Sequence, residues 1–293
     1  MSYDLFFNPR QPDAKLTAAS FSDYFRQRKK YEVSEKQAIY QNEDTGVYFI
    51  FDLGAPEDEE PGEQSLLSLN LNYLRPHVFG LEAEVEVSAL VRKFDLLVGD
   101  PQDYMSDGEY SSDGFLRGWN HGNEFGTRAY LNDKEFNDSI FAAPAAKLEA
   151  AWRWNFAKAA LQEQLGENVF VPTIMWVARN GCAETTVVWG DGMPMAIPEV
   201  DAVFIPRDEF APKKLFRKKP DISLATWSEV EPLIAEFPLE TSSLPYRVLG
   251  YTEVPPHIIE FVKGRNAMSG NPDIVPLDKV LDLELVEKAK QNK

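Results

Sequence analysis

Polar and apolar residues alternate with period two over residues 65–74. Leu67, Leu69, Leu71 and Tyr73 fall on one side and Ser68, Asn70 and Asn72 on the other, which predicts a strand with one buried face. A shorter aromatic strand is predicted at 3–7. Residues 37–41 and 47–53 flank Asn42, Asp44 and Gly46, turn formers that predict a β-hairpin. The period changes to that of a helix at 79–94, where Phe79, Ala83, Val87, Leu90, Val91 and Phe94 form one stripe. Glu82, Glu84, Glu86, Arg92 and Lys93 are expected on the other faces, acids first and bases last, as the helix dipole favours. A helix over 20–30, capped by Ser20 or Ser22, precedes the hairpin, and a short strand at 96–98 follows the long helix.

Further along, 111–128 is rich in Gly, Trp, Phe and Asn and reads as a helix with a glycine break. The run of Ala, Leu, Glu and Gln over 145–165, stopped by Gly166, is the strongest helix in the chain. Strands at 171–178 and 184–189 meet at Asn180-Gly181, the strongest short hairpin signal. A strand is expected at 200–205 and another at 248–254, with helices at 228–237, 256–262 and 278–290. The elements predict an α+β fold of antiparallel strands and hairpins packed with helices. It spans 1–293 as one domain or two intimately packed halves, with the proline-bounded stretch 208–221 as the linker candidate.

Composition narrows the function. With 293 residues, 44% apolar and 12% aromatic, the chain can bury a core without metal or disulfide, and its single Cys182 excludes an internal disulfide and any multi-cysteine zinc site. No export signal or long apolar run is evident, so a cytoplasmic location is expected. The 47 Asp and Glu against 30 Lys and Arg give a net charge of −17, which argues against nucleic acid and anionic lipid as partners. The one basic run, 213–219, is short and lies between Pro212 and Pro220, as a solvated loop would.

No HExxH, GxSxG, phosphate-loop or GxGxxG signature is present, and no cofactor is implied. His121, with Asp113 and Glu124 nearby in sequence, is the one candidate for acid/base chemistry in a hydrolase; a hydrogen-bonded or surface histidine is the plainer reading, as for His77 and His257. The 103–108 segment begins like a calcium loop, but Met105 occupies a ligand position and Gly114 stands where the bidentate Glu belongs. Cys182 lacks a neighbouring base and reads as structural. Trp152 and Trp154, two apart on a helix, point in different directions, with core packing expected.

The acidic residues are instead gathered in two loop-like stretches. Glu57, Asp58, Glu59, Glu60 and Glu63 sit among prolines and glycines. Asp103, Asp107, Glu109 and Asp113 are interleaved with Tyr104 and Tyr110, with Trp119 just beyond. Carboxylates beside aromatic anchors are what a protein needs to occupy a cationic, nucleic-acid-binding cleft, because they substitute for phosphates. Several segments bear on the same point: MSYDLFF at 1–7, YQNEDTGVYF at 40–49, LNYLRP at 71–76, FGLEA at 79–83 and DPQ at 100–102, with weaker echoes at 188–192 and 196–207. They resemble bacterial immunity proteins, which protect a cell from polymorphic or type VI secreted toxins. The resemblance implies a non-enzymatic cytoplasmic protein that binds and blocks one cognate toxin, and the charge pattern suits a nuclease. A hydrolase built on His121 and an adaptor or loading factor of a secretion system are the alternative classes.

Overall fold

The computed structural model describes residues 1–11, 16–54, 67–105, 108–132, 140–214, 217–241, 244–270 and 272–291. The chain has an α+β fold and divides into two compact units, Met1–Ala145 with Leu277–Lys293, and Ala146–Pro276. The stretch 208–221 lies inside the second unit rather than at this division.

In the first unit six strands form one antiparallel sheet. They are β1 (Ser2–Pro9), β2 (Tyr31–Val33), β3 (Gln37–Asn42), β4 (Val47–Leu53), β5 (Leu67–Asn72) and β6 (Leu96–Gly99), in the order β2-β3-β4-β5-β1-β6. Register follows the alternation in the sequence. Ala38, Phe51, Leu69 and Leu5 lie side by side across four strands, and all are buried. Each such Phe or Leu contributes roughly 1.5–3 kcal/mol relative to exposure.

The first helices of this unit are α1 (Ala18–Arg26), α2 (Val78–Phe94) and α3 (Ser112–Asn132). The cap of α1 is Thr17, which forms a reciprocal box with Ser20; Ser22 is buried instead. The apolar stripe of α2 is as the periodicity predicts, with one correction. Glu82 is fully buried, because the β3–β4 hairpin supplies it with donors: Tyr40 Oη at 2.7 Å, Asn42 Nδ2 at 2.6 Å and Thr45 Oγ1 at 3.1 Å all donate to Oε1. Such saturation is what makes an acidic side chain tolerable in a core.

Helix α3 is unbroken, contrary to the expected glycine break. Gly114, Gly118, Gly122 and Gly126 recur every fourth residue, and three of them lie directly against aromatic or thioether side chains. A Cβ on Gly118 would collide with the Tyr3 phenol, one on Gly122 with the Tyr73 phenol, and one on Gly114 with Met105. Absent side chains let the helix sit close to β1 and to Tyr73, which offsets a helix-interior cost of about 0.5–1 kcal/mol per glycine. A short strand, β7 (Phe141–Ala143), closes this part of the chain.

The second unit begins with α4 (Ala145–Leu165), bounded as predicted. Strands β8 (Met175–Arg179) and β9 (Cys182–Val188) pair through Asn180 (φ 53°) and Gly181 (φ 80°), the two left-handed positions of a tight hairpin turn. Next come β10 (Ala196–Pro198), β11 (Ala202–Arg207), β12 (Lys213–Lys214), β13 (Arg217–Lys218), β14 (Asp221–Thr226), α5 (Trp227–Val230), β15 (Leu239–Glu240), β16 (Tyr246–Val248), α6 (Pro256–Gly264) and β17 (Ile274–Val275). A five-stranded sheet runs β14-β11-β9-β8-β17, with β9 and β11 parallel, and a smaller one runs β10-β16-β15. In the basic run, β12 and β13 pair antiparallel over two rungs, Lys213 with Lys218 and Lys214 with Arg217, where a loop was expected. The strand expected at 248–254 ends at Val248, and the helix expected at 228–237 is α5 followed by a 3-10 turn, Glu231–Ile234, with Pro232 entering that turn. Trp152 and Trp154 are both buried, and Trp154 Nε1 donates to the Pro172 carbonyl at 2.8 Å.

Arg207 organises one edge of this unit. Only 2% of it is exposed; Nε and Nη2 meet the Asp221 carboxylate at 2.7 and 2.9 Å, while Nη1 donates to the carbonyls of Val262 and Arg265 at the end of α6. A single guanidinium thereby neutralises a strand carboxylate and caps a helix C-terminus.

The chain then returns to the first unit. Strand β18 (Val280–Asp282) pairs in parallel with β7, and α7 (Leu283–Gln291) follows, so the helix predicted from 278 starts only at 283. Asp282 accepts from the backbone N–H of His77 at 2.8 Å and lies 2.5 Å from its Nδ1, and Asp278 accepts from Tyr48 Oη at 3.0 Å. Among the described residues no helix is long and apolar enough to cross a membrane.

Candidate partner-binding face

The first acidic stretch, Glu57, Asp58, Glu59, Glu60 and Glu63, lies outside the described residues, as does Asp107. The second stretch connects β6 to α3 and is built around Asp100. Its carboxylate accepts the backbone N–H groups of Gln102 and Tyr104, each at 2.9 Å, and its carbonyl accepts that of Asp103 at 3.0 Å. An aspartate directing its own backbone in this way fixes a turn. The turn leaves Asp103 exposed and inserts Met105 into the core.

Further on, Ser111 starts α3, its carbonyl accepting from Phe115 N–H at 2.9 Å and its Oγ from Gly114 N–H at 3.1 Å. The glycine side of α3 faces inward and so does the adjoining row Phe115, Trp119, Asn123 and Thr127. Asp113, Arg117, His121, Phe125 and Ala129 therefore form the outward row. His121 lies against the Tyr104 ring, with centroids 5.6 Å apart, and Phe125, one turn on, is 62% exposed. Tyr104, His121 and Phe125 thus give an aromatic strip with Asp103 beside Tyr104, and along the helix Arg117 stands between the strip and Asp113.

Three of the expected contact residues have different roles. Trp119 is fully buried, stacked on Tyr73 and seated over Gly80 of α2, so it is a core residue and no partner reaches it. Tyr110 directs its hydroxyl to Glu84 Oε1 at 2.9 Å; burial first, and the Glu84 charge next, push that phenol well above its ordinary range. Glu109 is exposed but held bidentately by Arg10 at 2.6 and 2.7 Å, and this pairing keeps its carboxyl below the usual value. Arg10 also reaches Asp95 at 3.0 Å, so one cation serves two acids. Phe125 escaped sequence reasoning because its segment read as a broken helix; the four-residue glycine spacing was the signal that places it outside.

The acid/base arrangement around His121 is not assembled. Glu124 is engaged by Lys288 of α7 and by Arg128, which in that order lower its carboxyl, and Asp113 lies two helical turns away. Among the described residues no cluster of His, Cys, Asp and Glu suits a metal ion. Cys182 is exposed at the start of β9. His257 lies 3.5 Å from Glu236 at the surface.

No family model, no curated protein and no solved structure matches this chain. The likeness to immunity proteins accordingly rests on its sequence motifs alone.

Proposed function

We propose that this chain is an immunity protein of the cytoplasm that binds and neutralises a cognate secreted toxin, a nuclease, and has no catalysis of its own. One observation carries the reading: the charge is unevenly divided. Met1–Ala145 with Leu277–Lys293 holds 30 of the 47 acidic residues but only 17 of the 30 basic ones, so most of the −17 net charge belongs to one unit. That unit also bears the main immunity-like motifs and the Tyr104–His121–Phe125 strip. A nuclease cleft is cationic because its substrate is a polyanion, and an acidic surface raises association rates with such a cleft by about 10 to 10³-fold. The strip supplies the apolar centre around which charged pairs become effective. The dispersed partners of His121 and Glu124 favour this reading over a hydrolase.

The test is co-expression with the protein of the adjacent reading frame. The parent chain rescues growth and co-purifies with the toxin, and Asp103→Asn/Asp113→Asn slows association and flattens its salt dependence. Phe125→Ala speeds dissociation. His121→Ala, in the same strip, does likewise. Turnover of a small substrate by the purified chain, or no rescue from the adjacent protein, overturns the reading.

A further inference from the structure

The six-stranded sheet buries one face under its helices; its other face holds a groove of about 820 Å³. The register gives that groove a chequered floor. Phe6 on β1, Ser68 on β5 and Asp52 on β4 make one row, and Asp4, Asn70 and Ile50 on the same three strands make the next. Two carboxylates therefore occupy opposite corners and two apolar side chains the other two, with small polar groups between them. With strands about 4.8 Å apart and about 6.8 Å between successive same-face residues, the carboxylate-bearing corners are roughly 12 Å apart.

Neither carboxylate has a cation among the described residues. Asp4 accepts from Ser2 Oγ at 2.8 Å and Asn70 Nδ2 at 2.6 Å, and Asp52 from Gln37 Nε2 at 2.9 Å; every donor is neutral. Lys36, exposed at the rim, is the one base lining the groove among the described residues. Neutral donors orient a carboxylate but leave its charge uncompensated, so half-buried Asp4 and Asp52 are set to receive positive charge from outside.

We propose that this groove receives an amphipathic helix of the partner protein carrying Arg or Lys at positions i and i+7, with apolar residues at i+3 and i+4. At 1.5 Å per residue, i and i+7 are about 10.5 Å apart on one face, and long basic side chains span the remainder. The intervening apolar residues meet Phe6 and Ile50. The inference deepens the immunity reading, on which it rests, by assigning a second surface and the chemistry that fills it.

The experiment uses the full chain and a synthetic helical peptide with Arg at i and i+7 and Leu at i+3 and i+4, beside a scrambled peptide of the same composition, titrated by calorimetry at low salt. The ordered peptide binds and the scrambled one does not. Asp4→Asn/Asp52→Asn weakens binding by about tenfold, and Lys36→Glu, at an exposed position that leaves folding unaffected, strengthens it about threefold. Equal binding of both peptides, or affinities unmoved by these substitutions, overturns the proposal. In cells, protection by Asp4→Asn/Asp52→Asn equal to that of the parent sinks the groove and spares the immunity reading. Failure of the parent chain to protect sinks the latter, and the peptide titration still decides the former.

Discussion

Replacing Arg207 with Met removes the charge that Asp221 depends on and uncaps α6, while keeping most of the side-chain volume. Arg207 is 2% exposed and the Asp221 side chain 17%, so the pair is buried, and breaking a buried pair from one side costs about 3–5 kcal/mol. The α6 carbonyls lose their donor as well, but the residues around them are largely exposed and water replaces much of that bond, adding no more than about 1 kcal/mol. We expect Arg207→Met to lower stability by about 4 kcal/mol, a large share of the ~5–15 kcal/mol typical of a folded protein. Arg207→Met/Asp221→Leu removes both charges and should cost only about 1–2 kcal/mol, so the double substitution is milder than the single. Urea titration followed by tryptophan fluorescence reads this directly, because every tryptophan except Trp119 belongs to the second unit. A double variant as unstable as the single would refute the reasoning, since the penalty would then come from lost packing rather than from a stranded carboxylate.

Glu82→Leu leaves three buried donors without an acceptor and should cost about 3 kcal/mol, whereas Glu82→Gln retains an acceptor oxygen and should cost about 1; thermal melts separate the two. Glu229 is drawn down from 4.5 to about 2 by Arg265 and by the N–H of Thr226 at the start of α5. A carboxyl depressed in the folded state contributes stability above its unfolded value and loses it as pH falls through the folded one. Glu229→Gln should therefore lower the urea midpoint at pH 7, with the gap to the parent closing between about pH 4.5 and 2; a gap that persists at pH 2 contradicts the assignment.

Elements whose signal is local were legible in the sequence. The hairpin at Asn42–Gly46, the helix α4 and the Asn180–Gly181 turn lie where propensity and period place them, and the antiparallel, helix-backed first half follows from the same cues. Strands β7, β14, β17 and β18 are among those not foreseen. Three of them have only two or three residues and exist because a distant segment completes their ladder, as Val280–Asp282 does for Phe141–Ala143. The same limit hid Glu82. Its place on α2 reads as solvent-facing until the hairpin donors arrive from forty residues earlier in the chain. At the candidate face, the Asp100 turn brings Tyr104 against His121, and Asp103 and Asp113 are both exposed. Trp119 was misjudged because an aromatic next to acidic residues looks like an anchor, although its position one residue after Gly118 turns it inward.

The discontinuity of the first unit has a consequence for synthesis. A ribosome adding about 5–20 residues per second needs about 7 to 30 seconds to travel from β7 to the end of α7. Throughout that interval Phe141–Ala143 has no ladder partner, and His77 and Tyr48 await Asp282 and Asp278. The inserted residues 146–276 form an uninterrupted stretch and can finish folding first. The first unit, begun before the second, is thus the last to mature, and release of the chain before Leu277–Gln291 is made would strand it incomplete.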